Sequence, residues 1–104
     1  MSNSIDRLII ASTADRLIAS GEIDAHSVST LLAALDPLPG EGDVRVDMAA
    51  IDFMDSSGLR ALIDAHQRAA SEGRRIVVVH PSKAVHRVIE ISGLAEHLHV
   101  EAGS

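Results

Sequence analysis

The side chains best suited to chemistry stand next to one another in the segment Asp55-Ser56-Ser57-Gly58, which combines a carboxylate, two hydroxyls and a glycine. A serine hydroxyl can act as a nucleophile when a neighbouring base activates it, or it can accept a phosphoryl group. Asp and Ser also cap helices, because their oxygens accept hydrogen bonds from free N–H groups of the first turn. The segment is therefore compatible with catalysis, with phosphorylation and with a structural cap.

Catalysis by Ser57 would require a base, and no motif in the sequence brings one to this serine. The G-x-S-x-G pattern that exposes a catalytic serine at a strand-to-helix turn is absent. The histidines are scattered along the chain, at His26, His66, His80, His86, His97 and His99. We therefore predict a protein without enzymatic activity. A triad assembled only by the fold would instead make Ser57 a nucleophile, and an enzyme of this kind is an alternative hypothesis.

The sequence also offers little for a metal or a nucleotide. His97 and His99 would lie on one side of a strand, but zinc takes three or four protein ligands and the chain has no cysteine. Gly40-Glu41-Gly42 lies in a loop that no helix follows, which does not fit a phosphate-binding loop. We therefore expect no metal site and no cofactor.

Composition limits the class of protein. The chain has 104 residues, which suits a single domain over residues 1–104, and Phe53 is its only aromatic residue, so aliphatic side chains must fill the core. Its net charge of -6 opposes binding to nucleic acid or anionic membranes. The absence of cysteine fits a reducing compartment, and the N-terminus lacks the features of a secretory signal. We expect a soluble cytoplasmic protein.

Hydrophobic patterning predicts the elements that position the Asp55–Gly58 segment. Two short apolar runs, Leu8 to Ala11 and Leu17 to Ala19, are typical of a β-hairpin. Apolar residues at helical spacing predict a first helix over residues 26–36, which Pro37 and the glycines after it end. Alternation of Val44, Val46 and Met48 with polar residues then predicts a strand, and the stretch from Ala49 to Met54 leads into Asp55.

The second half of the chain alternates helices and strands. An amphipathic helix is predicted from Leu59 to near Gly73, with one apolar face formed by Leu59, Leu62, Ile63, His66 and Ala70, and with an ion pair between Asp64 and Arg68. The β-branched run Ile76 to Val79 predicts a strand buried on both faces. A third helix from Pro81 and Ser82 to near Gly93 and a short strand at Leu98 and Val100 complete the order ββαβαβαβ. This order predicts an α/β fold with a mixed sheet of about five strands and helices packed against it.

The predicted strand-to-helix corner is well suited to a phosphoryl group. A helix N-terminus offers backbone donors and a partial positive charge of roughly half a unit. A phosphoserine carries about -1.5 to -2 charges, so its main effect would fall on a partner docked over the corner. Gly58 has no side chain, so we expect a kinase or partner backbone to approach Ser57 closely.

Four landmarks, spread over nearly the whole chain, resemble the STAS domain and in particular the bacterial anti-sigma factor antagonists. These are Gly21-Glu22-Ile23-Asp24, the strand into Phe53-Met54-Asp55-Ser56-Ser57-Gly58-Leu59, Gly73 before the strand Ile76 to Val79, and Ile91-Ser92-Gly93-Leu94. The resemblance implies a single STAS-like domain. It also implies that the serine directly before the glycine, here Ser57, is the phosphorylation site.

The resemblance further implies a partner-switching mechanism. The kinase would be an anti-sigma factor of the GHKL type, and a PP2C-type phosphatase would restore the serine. The unphosphorylated form would bind the anti-sigma factor and release the sigma factor. Since the ATP belongs to the kinase, this chain would need no cofactor.

The predicted partner-binding residues surround Ser57. The resemblance points to Asp24 and Asp55, for which an ordinary turn or cap role is an equal alternative. The docking face would also include Ser56, Ser57, Gly58, Leu59, Arg60 and Asp64, and Arg68 could extend it. A second hypothesis is an accessory STAS subunit of a transporter or signalling assembly, which would use the same corner without phosphorylation.

Overall fold

Five strands form one mixed sheet, in the order β1-β2-β3-β4-β5, in the computed structural model, which describes residues 7–101. The elements are β1 (Leu8–Ser12), β2 (Leu17–Ile23), α1 (Val28–Ala34), β3 (Val44–Met54), α2 (Ser56–Ala70), β4 (Ile76–Val79), α3 (Lys83–Ser92) and β5 (His99–Glu101). β1 is antiparallel to β2, and the other three pairings are parallel. The predicted element order and the mixed five-stranded sheet are confirmed.

The three helices share one face of the sheet. From β2 onward each strand pairs with its successor in the chain, and right-handed crossovers that all proceed in one direction place their helices on the same side. Buried residues from α1, α2 and α3, such as Leu31, Leu62 and Val85, belong to one core cluster with residues of the strands. Within residues 7–101, the opposite face of the sheet is therefore covered by no helix.

Aliphatic residues fill this core, as the composition predicts. Every residue of β4 is buried, which confirms the prediction from its β-branched run. Phe53, by contrast, is 47% exposed, so the single aromatic residue takes no part in the core. The interior therefore depends on close packing of small and branched side chains.

Two helix boundaries differ from the prediction. α1 runs only over Val28–Ala34 rather than residues 26–36, because residues 24–27 form a hydrogen-bonded turn and Leu35 leaves helical geometry. α2 begins at Ser56, before the predicted start at Leu59, because Asp55 already caps the helix. A single 3-10 turn at Ala95–His97, which the sequence pattern did not indicate, precedes β5.

The buried face of α2 also differs in part from the predicted one. Ala70 is exposed, while Ala61, Ala65 and Ala69 are buried along one stripe with i, i+4 spacing. Small side chains on this stripe let the helix approach its neighbours closely, and such a face is hard to recognise from hydrophobicity alone. The predicted ion pair between Asp64 and Arg68 is wrong.

Arg68 instead contacts the end of the first crossover connection. Its guanidinium donates to the carbonyl oxygen of Leu35 at 3.3 Å and lies 3.8 Å from the carboxylate of Asp36. These contacts join α2 to the segment that follows α1. Arg68 is therefore turned towards its own fold, which removes it from the predicted docking face.

His66 links α2 to the central sheet. Its Nδ1 accepts a hydrogen bond from the backbone N–H of Ile76 at 3.2 Å, at the first residue of β4. Ile76 is fully buried, so this N–H cannot turn to water if the imidazole is removed. An unsatisfied buried donor costs about 1 to 3 kcal/mol.

We predict that His66→Phe lowers the free energy of unfolding by about 1 to 3 kcal/mol, because the ring is kept but the acceptor is lost. Chemical denaturation followed by circular dichroism measures this difference. His86→Phe is the matched control, since His86 is exposed on α3, and it should change stability by less than about 0.5 kcal/mol. Equal stability of both variants and wild type would show that the hydrogen bond of His66 contributes nothing.

Candidate functional site

The carboxyl ends of β2 and β3 bring together the two aspartates predicted to lie near Ser57. The strands are parallel and Ile23 pairs with Met54, so the residues that follow, Asp24 and Asp55, leave the sheet side by side. The backbone N–H of Asp55 donates to the carbonyl oxygen of Ile23 at 3.1 Å. This bond fixes the start of α2 against the end of β2.

Asp55 is the N-cap of α2. Its extended backbone carries a side chain whose Oδ1 accepts from the N–H of Ser57 at 2.8 Å, and its carbonyl oxygen accepts from the N–H of Gly58 at 3.2 Å. The cap places both serines in the first turn of the helix. Ser56 is exposed and Ser57 is partly exposed.

The hydroxyl groups of Ser56 and Ser57 are available for hydrogen bonding or modification. Within residues 7–101 neither side-chain oxygen makes a hydrogen bond, and no histidine is bonded to Ser57. The arrangement therefore lacks the activated base that a serine nucleophile needs. It does present a hydroxyl in the first turn of a helix, where the partial positive charge of the helix N-terminus favours a phosphoryl group.

Asp24 organises the turn before α1. Its Oδ1 accepts from the N–H groups of His26 and Ser27, at 2.9 Å each, and its Oδ2 forms an ion pair with Arg7. The hydrogen bond from Ser27 is the main reason why the pKa of Asp24 lies below its ordinary value, and His26 and Arg7 lower it further. The carboxylate is therefore held in place at this corner, with 18% of the side chain exposed.

Gly58 and Leu59 are buried against the core, which corrects their predicted place on the docking face. Leu59 is only 2% exposed, so its side chain cannot reach a partner. A Cβ on Gly58 would lie 2.7 Å from Cγ2 of Ile23 and 2.7 Å from Cγ of Met54. The glycine is thus required by packing inside the molecule rather than by the approach of a kinase.

The remaining predicted residues lie on the outer side of α2. Arg60 and Asp64 are exposed and follow Ser56 at i+4 and i+8, so the three share one helix face. We call the surface formed by Asp24, Asp55, Ser56, Ser57 and Arg60 the Ser57 corner. Its use as a docking face stays a prediction at this point.

Phe53 is a surface residue beside this corner that the sequence pattern did not reveal. Strict alternation would put Phe53 on the same side as the buried Ile51, but the pairing of β2 with β3 shifts register between Gly21 and Glu22. Gly21 has φ of 111° there, and a Cβ would lie 2.0 Å from the carbonyl oxygen of Arg7. The irregularity turns Phe53 outward, opposite Glu22.

Two other classes of site are not found in the part of the chain that the structure describes. Residues 7–101 contain no group of three or more potential metal ligands, and His97 and His99 lie in the 3-10 turn and in β5 respectively. Over the same residues, no helix combines the length and the apolar character needed to cross a bilayer.

Comparison with known proteins agrees with this fold. A family model described as "Mlab, STAS domain" matches residues 8–100. The anti-sigma-B factor antagonist of Staphylococcus epidermidis is 30% identical over 86 residues, which cover 81% of this chain and 80% of that protein. The Staphylococcus aureus protein of the same name is 28% identical over the same shares.

Solved structures show the same architecture. The anti-sigma factor antagonist SpoIIAA in its unphosphorylated form superposes with a TM-score of 0.68 at 19% identity, covering 91% of this chain and 88% of that one. An anti-sigma factor antagonist from Mycobacterium paratuberculosis gives a TM-score of 0.64 at 24% identity, with 89% and 82% coverage. The fold defines a small α/β module built on one mixed sheet. The chain belongs to the STAS domain family.

We predict that Gly58→Ala destabilises the protein by about 1 to 3 kcal/mol, since the added methyl group overlaps Ile23 and Met54. The free energy of unfolding from urea denaturation measures the cost. In a Met54→Ala background the same substitution should cost less, because the neighbour that obstructs the methyl group has been shortened. An equal cost in both backgrounds would mean that the glycine is needed for another reason.

The lowered pKa of Asp24 predicts an acid-dependent loss of stability. The folded state favours the ionised carboxylate, so the stabilisation is present above the ordinary value of 3.8 and is lost as pH falls through the lower folded-state pKa. We expect the free energy of unfolding to fall less for Asp24→Asn than for wild type as the pH is lowered from about 5 through about 4, the region where aspartate ordinarily titrates. Parallel pH profiles for the two proteins would contradict this assignment.

Proposed function

We propose that this protein is an anti-sigma factor antagonist that acts by partner switching, with Ser57 as the phosphorylated residue. The observation that carries the proposal is a partly exposed, uncommitted hydroxyl in the first turn of α2, next to the Asp55 cap. The names of the Staphylococcus relatives support the same function. Unphosphorylated, the protein binds a kinase anti-sigma factor and releases the sigma factor.

Phosphorylation of Ser57 changes the corner without entering the core. The carboxylate of Asp55 already accepts from the N–H of Ser57, so a phosphoryl group on the same residue adds a second anion close to the first. Gly58 and Leu59, directly behind, stay packed against the sheet. The modification therefore alters charge, bulk and hydrogen bonding where a partner would dock, and α2 stays folded.

The proposed partners are those that the resemblance to anti-sigma factor antagonists implies. The kinase is an anti-sigma factor of the GHKL type that brings its own ATP, so the antagonist itself uses no cofactor. A PP2C-type phosphatase reverses the modification. We propose that both reactions take place in the cytoplasm. In this proposal the protein has no membrane or nucleic-acid partner and no enzymatic activity of its own.

We expect the GHKL-type anti-sigma factors encoded in the same genome to include one that phosphorylates this protein with ATP, at Ser57 only. Ser57→Ala should abolish labelling, while Ser56→Ala, the matched control one residue earlier in the exposed turn, should still be labelled. Mass spectrometry of the labelled protein identifies the site. Labelling that persists in Ser57→Ala would place the modification elsewhere.

Binding to the same anti-sigma factor provides the second readout. Ser57→Ala should bind about as tightly as unphosphorylated wild type, and Ser57→Asp should bind at least about tenfold more weakly, a loss of about 1.4 kcal/mol. Isothermal titration calorimetry measures both. Wild-type affinity of Ser57→Asp would exclude negative charge at residue 57 as the signal. Tight binding to a transporter subunit without any phosphorylation would favour the accessory-subunit hypothesis.

A further inference from the structure

The sheet face without helices has two halves that differ in how they are covered. On the half formed by β4 and its neighbours, Val77 is fully buried and Val79 is 5% exposed. In the sheet register Arg45 lies opposite Val77, and Glu101 lies opposite Val79. The two charged side chains form an ion pair with each other at 2.8 Å. The protein therefore closes this half with its own ion-paired side chains.

On the half formed by β1, β2 and β3, three large apolar side chains are exposed among residues 7–101. Ile9 is 56% exposed, Ile18 36% and Phe53 47%. The register makes these residues neighbours on one surface, since Ile9 lies opposite Ser20 and Ser20 opposite Ala50, while Ile18 lies opposite Ala11. We call Ile9, Ala11, Ile18, Ala50 and Phe53 the apolar strip. It reaches the Ser57 corner, because Phe53 comes two residues before the Asp55 cap.

Carboxylates border the strip at its end near the corner. Glu22 lies opposite Phe53 in the sheet and Asp52 precedes it, and both are exposed. Neither forms an ion pair with any residue between 7 and 101. The nearby Arg7 is already paired with Asp24. An aromatic ring flanked by two carboxylates is thus left uncovered.

This charge pattern decides between two possible occupants. A second copy of the chain would bring the same carboxylates against each other, and each copy carries a net charge of -6. A partner with Arg or Lys side chains around an apolar recess would satisfy the carboxylates and bury the ring. Aromatic residues at the centre of such contacts commonly carry much of the binding energy.

We infer that the apolar strip with Glu22 and Asp52 is a second docking surface, continuous with the Ser57 corner, and that it takes a cationic, partly apolar face of the anti-sigma factor with Phe53 as the anchor. This inference rests on the proposed function. The strip contains neither Ser57 nor its cap Asp55, so its residues contribute to affinity and not to the phosphate signal.

A cationic partner limits the ways in which phosphate on Ser57 can weaken binding. A cationic partner is attracted at long range by carboxylates on this surface, so further negative charge on Ser57 does not repel it from a distance. The phosphoryl group must act at short range, by its bulk and by competing for hydrogen bonds at the corner. Attraction between opposite charges also requires that binding of the unphosphorylated form weakens as salt is added.

The test measures affinity of unphosphorylated variants for the anti-sigma factor by isothermal titration calorimetry. Phe53→Ser should weaken binding at least about tenfold while phosphorylation at Ser57 continues at saturating protein concentration. Ile91→Ser is the matched control, because Ile91 is 79% exposed and lies on α3, on the face of the sheet that carries the helices. It should bind within about twofold of wild type, and circular dichroism should show both variants folded.

A second pair of variants tests the charges. Glu22→Gln with Asp52→Asn should weaken binding several-fold at low salt, and the difference should shrink at about 0.5 M salt, where charges are strongly screened. Glu41→Gln is the control in the loop before β3, at the other end of the strands. Tighter binding by the double variant, or binding that strengthens with salt, would overturn the cationic partner.

Outcomes separate this inference from the proposed function. If wild type neither binds nor is phosphorylated by any anti-sigma factor, the proposed function fails and the docking surface fails with it. If wild type binds and is phosphorylated but Phe53→Ser binds equally well, only the docking surface is wrong. A wild-type dimer in analytical ultracentrifugation that Phe53→Ser dissociates would identify a second copy as the occupant and overturn the inference.

Discussion

Parallel pairing between Ile23 and Met54 is the constraint on which the functional end of the molecule depends. It places the last residues of β2 and β3 side by side, and the bond from the N–H of Asp55 to the oxygen of Ile23 then fixes where α2 begins. Gly58 packs against the same two residues with no room for a side chain. The first turn of α2 is therefore held by both the backbone and the core.

This rigid support separates regulation from folding. The hydroxyl of Ser57 stands on a turn whose inner side, Gly58 and Leu59, is buried and whose outer side faces solvent. A modification on the outer side can change what the protein binds at little cost to the fold. Asp24 adds to this support, since its carboxylate holds the turn before α1 through two backbone N–H groups and Arg7.

In the docking that we infer, the sheet takes part in binding as well as in folding. Sequential parallel strands put every helix on one face, so the other face must be closed by side chains or by a partner. Arg45 and Glu101 close one half, and the half next to the Ser57 corner is open around Phe53. In the function that we propose, the Ser57 corner and the apolar strip form one continuous surface, on which different residues provide affinity and its control.

The sequence by itself determined the order of elements, the aliphatic core and the Asp55-Ser56-Ser57-Gly58 cap, because these follow from local periodicity, from composition and from short-range capping chemistry. Tertiary structure alone decided the outward position of Phe53, the packing role of Gly58 and the alanine face of α2. Each of these depends on which residue lies opposite in a neighbouring strand or helix. A register shift near Gly21 reverses the side on which Phe53 lies, and no local pattern of hydrophobicity records such a shift.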